Sequence, residues 1–247
     1  MDNRRVVVTG FGVISCVGND VPEFWDSLVN GRCGIGMLTR FDASEYRTRI
    51  AGEVKNFDVS KYMSPKDAKR VDLFCQYAIA ASDEAMEMAG LPKELRGSSV
   101  DSNRVGVIVS SGIGGLQTMA DQAEVLINRG PGRISPFLIP MMISDIASGN
   151  ISMRYGAGGP NMGLVTACAT GCHSIGESFW AIKRDDADVM ICGGAEASLV
   201  PLGVAGFCAL KALSTRNDDP QHASRPFDQD RDGFVMSEGA GVLILEE

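Results

Sequence analysis

The sequence predicts an α/β fold in which a sheet is covered by helices on both faces. Apolar, β-rich runs bounded by glycine or charge alternate along the chain with segments of helical period. The runs are continuously apolar, which is typical of strands buried on both faces. No internal repeat, low-complexity segment or Pro/Ser-rich linker divides the chain. We therefore expect one domain over residues 1–247.

Five runs have the composition of strands, at residues 5–9, 105–110, 162–167, 189–192 and 241–245. Helical periods fill the gaps at residues 21–30, 116–129, 140–155 and 203–213. Pro140 suits the first turn of its helix, where a missing N–H is tolerated. The clearest period runs from Val71 to Met88 and closes at Gly90, with Pro92 just beyond.

Cys168 is the most informative residue, because it lies where an apolar strand turns sharply into a helix, in Val165-Thr166-Ala167-Cys168-Ala169-Thr170-Gly171. Unpaired N–H groups and the positive end of the helix dipole stabilise a thiolate at such a position. The same N–H groups can hold the oxyanion that forms when a thioester is attacked. The pattern favours acyl transfer through Cys168. The alternative is a buried cysteine that behaves as a small hydrophobic residue.

The helix after this turn carries an apolar stripe at steps of four and three, formed by Cys168, Cys172, Ile175, Phe179 and Ile182. The stripe predicts a helix buried along one side, with Cys172 in the core. His173 lies five residues after Cys168, so it should point away from the thiol and have a structural role rather than act as a base.

We predict no metal site. Cys172 has no accompanying Cys or His cluster with zinc-like spacing. Residues 228–233 open like a calcium loop, but the twelfth position is Gly239. The segment Gly112-Ile113-Gly114-Gly115 resembles a dinucleotide loop only weakly, because Gln117 stands where the third glycine belongs.

Composition excludes several classes of function. The chain has 247 residues, 45% of them hydrophobic, and a net charge of -8, which argues against general nucleic-acid binding. Its seven cysteines show no disulfide framework, and Met1 begins no signal segment, so a reduced, cytoplasmic location is expected. No apolar run approaches the roughly 20 residues of a membrane span.

Several motifs in order give the whole chain a resemblance to the β-ketoacyl-[acyl-carrier-protein] synthases, most closely the type II elongating condensing enzymes. The markers are residues 6–13 (VVVTGFGV), 111–116 (SGIGGL), 134–137 (ISPF), 166–171 (TACATG), 193–196 (GGAE), 212–217 (ALSTRN), 225–228 (RPFD) and 231–234 (RDGF). The resemblance implies a thiolase-like fold, of which this chain would be one half. In the whole fold, two similar halves stack as α-β-α-β-α layers with mixed sheets.

The resemblance also implies roles for individual residues. Cys168 resembles the nucleophile that takes the acyl chain from acyl-carrier protein, before condensation with malonyl-carrier protein gives a 3-oxoacyl product two carbons longer. Gly112, Ile113 and Phe207 resemble positions lining the acyl pocket. Phe137 and Leu138 resemble the part that reaches the partner subunit's tunnel in a homodimer. Core packing is the alternative for the pocket residues.

A basic cluster matches the family's docking surface for the acidic carrier protein, and comprises Lys66, Lys69, Arg70, Arg133 and Lys211. Such a cluster can steer an anionic partner and its phosphopantetheine arm. No resident cofactor is implied, since that arm arrives on the carrier protein. A solvated helix face is the alternative reading of these charges.

The pattern departs from the family in one respect. Decarboxylation in the family uses two histidines, with a lysine and a gating phenylalanine, from a second half of the fold, whereas the two histidines here, His173 and His222, lie in neither motif. We expect the chain to be the amino-terminal half of a condensing enzyme, with the carboxy-terminal half absent and the Cys168 stripe exposed. A non-condensing half-protein that binds acyl chains or a partner, a polyketide ketosynthase and a thiolase remain alternatives.

Overall fold

The computed structural model describes residues 4–247, so the first three residues of the predicted domain lie outside the described part. Its strands are β1 (Val7–Ile14), β2 (Gly36–Met37), β3 (Ile50–Ala51), β4 (Val105–Ser110), β5 (Val189–Glu196) and β6 (Gly239–Glu246). Its helices are α1 (Val21–Val29), α2 (Pro65–Ala68), α3 (Leu73–Met88), α4 (Leu116–Arg129), α5 (Leu138–Met142), α6 (Ile146–Tyr155), α7 (Thr170–Lys183) and α8 (Pro201–Ala209). Short 3₁₀ turns occupy residues 59–61, 102–104, 131–133, 167–169 and 220–222.

Four strands form one mixed sheet in the order β1-β6-β5-β4. Strand β6 lies between β1 and β5 and is antiparallel to both, whereas β4 and β5 are parallel. Strands β2 and β3 form a separate two-stranded sheet that the sequence did not predict. The mixed α/β class is therefore confirmed.

Helices cover both faces of the four-stranded sheet. On one face, Phe74 and Ala78 of α3 and Ile151 of α6 form a buried cluster with side chains such as Val107 and Ile191. On the other face, Ala181 and Ile182 of α7 pack with residues of the same strands that point the opposite way, including Ile108, Met190 and Cys192. Alternation of side chains along each strand serves both cores at once, which explains the continuously apolar runs.

Two glycines of β1 allow α3 to lie directly on the strand. A Cβ atom on Gly12 would lie 2.9 Å from the Ala81 carbonyl carbon and 3.0 Å from the Ala85 nitrogen. A Cβ atom on Gly10 would lie 2.9 Å from the Ala89 nitrogen. Ala81 and Ala85 are fully buried at this contact. The absence of side chains at Gly10 and Gly12 thus sets the distance between α3 and β1.

The predicted strand over residues 162–167 is wrong. The segment runs beside β4, where the Val107 N–H donates to the Pro160 oxygen (2.8 Å) and the Met162 N–H to the Val107 oxygen (3.4 Å). Beyond this point, side-chain hydroxyls accept the backbone N–H groups: Ser110 accepts from Leu164 (3.0 Å), and Thr170 from Thr166. Because hydroxyls replace the ladder, the contact with β4 is limited to an isolated bridge between Val107 and Asn161, and no strand forms.

The predicted helix over residues 140–155 is divided into α5 and α6. Pro140 lies in the first turn of α5, as expected, but Ile143 is extended, with φ -69° and ψ 141°. The Met142 carbonyl accepts the Gly115 N–H at 3.0 Å, so it is used outside the helix. A tertiary hydrogen bond therefore favours the break, which no local signal in the sequence indicates.

Other predicted bounds differ by a few residues. Helix α4 and strand β4 have the predicted bounds, and α3 closes at Gly90, whose φ is 68°. Strand β1 lies two to five residues later than predicted, and β5 continues four residues further, to Glu196. The helix predicted at 203–213 begins at Pro201 and ends at Ala209. In residues 4–247 no helix has the length and apolar character that crossing a membrane requires.

Candidate active site

Cys168 lies in a turn immediately before α7, here called the nucleophile turn (residues 166–170). The Ala169 N–H donates to the Thr166 oxygen at 3.1 Å, and the Thr166 N–H donates to Oγ1 of Thr170 at 2.9 Å. Ala167 has a φ of 51°, a left-handed conformation that costs a non-glycine residue about 1–2 kcal/mol. Strain of this kind is concentrated at functional sites. The turn leaves Cys168 exposed rather than buried in the core.

The first turns of α7 lie close to β5 because the residues between them are small. A Cβ atom on Gly194 would lie 3.1 Å from the Cα of Gly171. Further along α7, the buried side includes Ser174 and Ser178, and the Ser174 hydroxyl donates to the Thr170 oxygen at 2.9 Å. Small side chains therefore form the buried face of the amino-terminal half of α7.

The apolar stripe predicted for α7 is mostly outside this buried face. Ile182 is fully buried, but Cys172 and Phe179 are exposed, and Trp180 is 54% exposed beside them. The prediction that Cys172 is a core residue is wrong, because the close approach of α7 to the β5 glycines selects the small hydroxyl face instead. Exposure of the stripe agrees with the expectation for one half of a layered fold.

His173 contacts the nucleophile turn without pairing with the thiol. Its Nδ1 atom lies 2.7 Å from Oγ1 of Thr166, two residues before Cys168. The contact joins the first turn of α7 to the start of the nucleophile turn. This geometry supports the structural role that the sequence predicts for His173.

The glycine-rich segment (residues 111–115, here the glycine loop) lies against the nucleophile turn. A Cβ atom on Gly112 would lie 3.1 Å from the Ala167 oxygen and 3.2 Å from Oε2 of Glu196. The absent side chain thus lets the loop, the turn and the end of β5 meet. Among the predicted pocket residues, Gly112 lies against Ala167, the residue before Cys168.

Glu196 holds the glycine loop through its carboxylate. Oε2 accepts the N–H groups of Gly112 (3.1 Å) and Ile113 (3.2 Å), and Oε1 accepts the hydroxyls of Ser111 (3.0 Å) and Ser198 (2.9 Å). Burial raises the pKa of Glu196, while these hydrogen bonds lower it in part. Sequence reasoning assigned no role to Glu196. The signal that could have indicated such a role is a carboxylate at the end of an apolar strand.

The other predicted pocket residues lie in different parts of the structure. Ile113 is 42% exposed. Phe137 immediately precedes α5, and Leu138 is its first residue; α5 is joined to the loop by the Gly115–Met142 hydrogen bond. Phe207 lies on α8 with its ring centroid 5.5 Å from that of Phe234, in a second apolar cluster. Core packing therefore accounts for the contacts of Phe207.

All five predicted docking residues are exposed. Lys66 lies in α2, Lys69 and Arg70 follow it, Arg133 ends a 3₁₀ turn, and Lys211 follows α8 with a φ of 55°. None of the five forms an ion pair with a residue in the range 4–247. The Arg70 guanidinium carbon lies 4.9 Å from the centroid of the Phe137 ring, which links the basic cluster to the segment before α5.

The Asp-rich segment is held by internal hydrogen bonds. Asp228 accepts the N–H of Asp230 (2.7 Å) and a guanidinium N–H of Arg225 (3.0 Å), and Asp232 accepts the N–H of Thr215 (2.9 Å). These bonds support the structural role that the resemblance implies for the segment. Among the described residues, no group of three or more His, Cys, Asp or Glu side chains is arranged to hold a metal ion.

The fold is thiolase-like, as comparison with solved structures shows. A crystal structure of a β-ketoacyl synthase from Burkholderia phymatum STM815 matches with a TM-score of 0.86 and 30% identity, covering 99% of this chain and 59% of that one. A type II polyketide ketosynthase, solved in complex with its acyl-carrier protein and bound to a hexaketide, matches with a TM-score of 0.81 and 31% identity. That match covers 99% of this chain and 58% of the ketosynthase.

The sequence comparisons define the family. Residues 3–247 match the model of the β-ketoacyl synthase N-terminal domain, and the chain belongs to this family. It is 50% identical over 247 residues to 3-oxoacyl-[acyl-carrier-protein] synthase 2 of Synechocystis sp.. The chain spans 58% of the length of that relative.

Proposed function

We propose that this chain provides the acyl-accepting part of a 3-oxoacyl-[acyl-carrier-protein] synthase that elongates fatty acids. The observation that carries the proposal is the exposed Cys168 on a strained turn, with the glycine loop packed against it. The relative in Synechocystis sp. bears this activity in its name and aligns with the whole chain. Its 50% identity exceeds the 31% of the polyketide ketosynthase, which favours fatty acid over polyketide synthesis.

The proposed first step is transthioesterification. The Cys168 thiolate attacks the carbonyl carbon of an acyl thioester on the phosphopantetheine arm of the carrier protein. The new C–S bond forms as the arm's C–S bond breaks, and the arm leaves as a thiolate that takes a proton from solvent. The backbone N–H of Cys168 would be one donor to the intermediate oxyanion. Because the arm delivers the acyl group, this step needs no resident cofactor.

The proposed second step joins the acyl group to malonyl-carrier protein. Loss of carbon dioxide leaves a carbanion, which attacks the acyl-Cys168 thioester and releases the Cys168 thiolate and a 3-oxoacyl-carrier protein. Neither histidine of this chain lies in a decarboxylation motif of the family: His173 contacts Thr166, and His222 contacts Asp219. We therefore expect the 247-residue chain to form the acyl thioester without releasing carbon dioxide from malonyl-carrier protein.

The proposed partner is acyl-carrier protein, bound at Lys66, Lys69, Arg70, Arg133 and Lys211. Their exposure and lack of ion pairs within residues 4–247 leave these charges available for an acidic protein. The exposed Phe179 and Trp180 support a further layer that packs on α7 in the whole protein. We propose that the whole protein is a homodimer. The free state of all seven cysteines is compatible with a cytoplasmic location.

Mass spectrometry of the chain after incubation with acyl-carrier protein tests the first step. We expect one acyl adduct on the peptide containing Cys168. Cys168→Ser should abolish it, whereas Cys172→Ser, which alters an exposed cysteine four residues away, should retain it. An adduct that persists in Cys168→Ser, or release of labelled carbon dioxide from malonyl-carrier protein, would contradict the scheme.

Charge reversal tests the docking surface. Lys66→Glu with Lys69→Glu should slow acylation by acyl-carrier protein and weaken its dependence on salt, because screened charge pairs are lost. Acylation by a small acyl thioester should be unchanged in the same variant. If the chain binds acyl groups but forms no covalent adduct, the result would instead favour a non-condensing half-protein that binds acyl chains.

A further inference from the structure

We propose that Glu196 is a positioning residue that, as a carboxylate, holds the glycine loop against the nucleophile turn and so aligns the acyl chain with Cys168. The part of the inference that concerns the acyl chain rests on the proposed function. The part that concerns the glycine loop rests on the geometry of residues 111–114 and 196. The chemistry proposed for Cys168 leaves the GGAE motif, which ends in Glu196, without a role.

The hydrogen bonds around Glu196 match an ionised carboxylate. Oε2 faces two backbone N–H groups, those of Gly112 and Ile113. Because an N–H group can only donate a hydrogen bond, a proton on Oε2 would have no acceptor among them. The Ser111 oxygen accepts the N–H groups of Gly114 (2.7 Å) and Ile113 (3.3 Å), which leaves its single proton for Oε1 of Glu196. Four donors therefore converge on two oxygens, and a carboxylate satisfies them all.

Glu196 connects to the nucleophile turn through Gly112. A Cβ atom on Gly112 would lie 3.2 Å from Oε2 of Glu196 and 3.1 Å from the Ala167 oxygen, so all three residues meet at this point. Ala167 directly precedes Cys168 and is the strained residue of the turn. Movement of Gly112 would therefore change both the wall beside the thiol and the packing that supports the strained residue.

Glu196→Gln is the informative substitution, because it keeps the size of the side chain and replaces one acceptor oxygen with an NH₂ donor. Ser111 and Ser198 are nearly fully buried around the carboxylate. At least one buried donor of the loop or its neighbours would then face another donor. The expected result is a loosened loop in a folded protein.

Glu53→Gln provides a matched control. Glu53 is also buried, and it accepts the N–H groups of Thr39 (2.8 Å) and Arg40 (3.0 Å) and the Thr39 hydroxyl (2.8 Å). The two variants thus lose the same kind of hydrogen bonds, Glu196→Gln at the glycine loop and Glu53→Gln at the loop of residues 39–40. Ser198→Ala is a second control, since it removes a donor to Glu196 that does not belong to the glycine loop.

Hydrogen exchange measures the loop directly. Amides of Gly112 and Ile113 should exchange about 10- to 100-fold faster in Glu196→Gln, the range expected when hydrogen bonds to a charged group are lost. Glu53→Gln and Ser198→Ala should leave these amides within about threefold of the original chain, a factor corresponding to well under one hydrogen bond. Unchanged exchange in Glu196→Gln would overturn the inference.

Reactivity at Cys168 separates positioning from general destabilisation. A decanoyl thioester of N-acetylcysteamine should acylate Cys168 on the order of 10²-fold more slowly in Glu196→Gln, the effect of displacing a group by about 1 Å. Alkylation of Cys168 by iodoacetamide, which needs no acyl pocket, should remain within about threefold, a difference of less than 1 kcal/mol. Equal slowing of both reactions, or equal slowing in Glu53→Gln, would overturn the positioning role.

The two measurements also separate this inference from the proposed function. If the original chain forms no decanoyl adduct, the proposed function fails, and hydrogen exchange alone decides whether Glu196 holds the loop. If the adduct forms and Glu196→Gln matches the original chain in both rate and exchange, the proposed function stands and the role of Glu196 is wrong.

Discussion

Gly12→Ala should destabilise the chain strongly, although it adds a single methyl group. The new Cβ would lie 2.9 Å from the Ala81 carbonyl carbon and 3.0 Å from the Ala85 nitrogen. Ordinary contacts between carbon atoms are about 3.5–4.0 Å. The Ala81 carbonyl oxygen lies nearer still, so the new Cβ would overlap it. Helix α3 must therefore move away by about 1 Å or more, because these atoms belong to the helix backbone and cannot rotate aside.

The cost follows from what α3 buries. Phe74, Ala78 and Ala85 have no solvent exposure, so displacement of the helix opens gaps along the core on that face of the sheet. A gap of 0.5–1 Å removes about a quarter to a half of the dispersion energy of each contact. We place the loss at the upper end of overpacking effects, about 3 kcal/mol. For a domain of this size, that loss corresponds to a decrease in Tm of about 6–12 °C.

Thermal unfolding followed by circular dichroism gives the measurement, with Gly176→Ala as the control. Gly176 lies inside α7, and a Cβ atom there would meet no other atom within 4 Å. Alanine is favoured over glycine inside a helix by about 1 kcal/mol, so this variant should be more stable than the original chain. A Gly12→Ala variant that unfolds within about 2 °C of the original chain would refute the reasoning, since it would show that α3 adjusts at a cost below 1 kcal/mol.

Two further predictions concern buried and paired carboxylates. Asp72→Ala should lower the free energy of unfolding by about 2–4 kcal/mol, because the buried N–H and hydroxyl of Thr118 lose their acceptor; Asp58→Ala, which removes an exposed cap, should cost about 1 kcal/mol in the same urea titration. A hydrogen bond from Arg104 is the main cause that lowers the pKa of Asp188 to about 2. Because the pKa is lower in the folded state, this stabilisation is present above about pH 4 and is lost as the pH falls towards 2. Asp188→Asn should therefore lose less stability than the original chain between pH 4 and pH 2, and parallel curves would contradict this.

Much of the fold follows from local pattern. Helix α4 has its predicted bounds because Gly115 and Gly130 enclose a clear amphipathic period, and β4 is a continuous apolar run. The failures have tertiary causes. A carbonyl of residue 142 bonds outside its helix, and hydroxyls of Ser110 and Thr170 accept N–H groups that a strand would pair. Local periodicity contains no information about such partners.

The candidate site divides in the same way. The turn at Cys168 was predictable, because an apolar run, a cysteine and a helical period are adjacent in the sequence. The exposure of Cys172 was not, because two faces of α7 have helical spacing and only the glycines of β5 decide which is buried. Nor was the role of Glu196, whose loop partners lie more than 80 residues earlier in the chain.

The position of β6 between β1 and β5 has a consequence for synthesis on the ribosome. Strand β1 leaves the ribosome well before its ladder partner β6, which follows after roughly 225 further residues. At about 5–20 residues per second, β1 waits about 10–45 s before β6 can pair with it. The parallel pair β4 and β5 can form earlier. Closure of the sheet is therefore a late event in the nascent chain, and a chaperone would meet β1 before its partner exists.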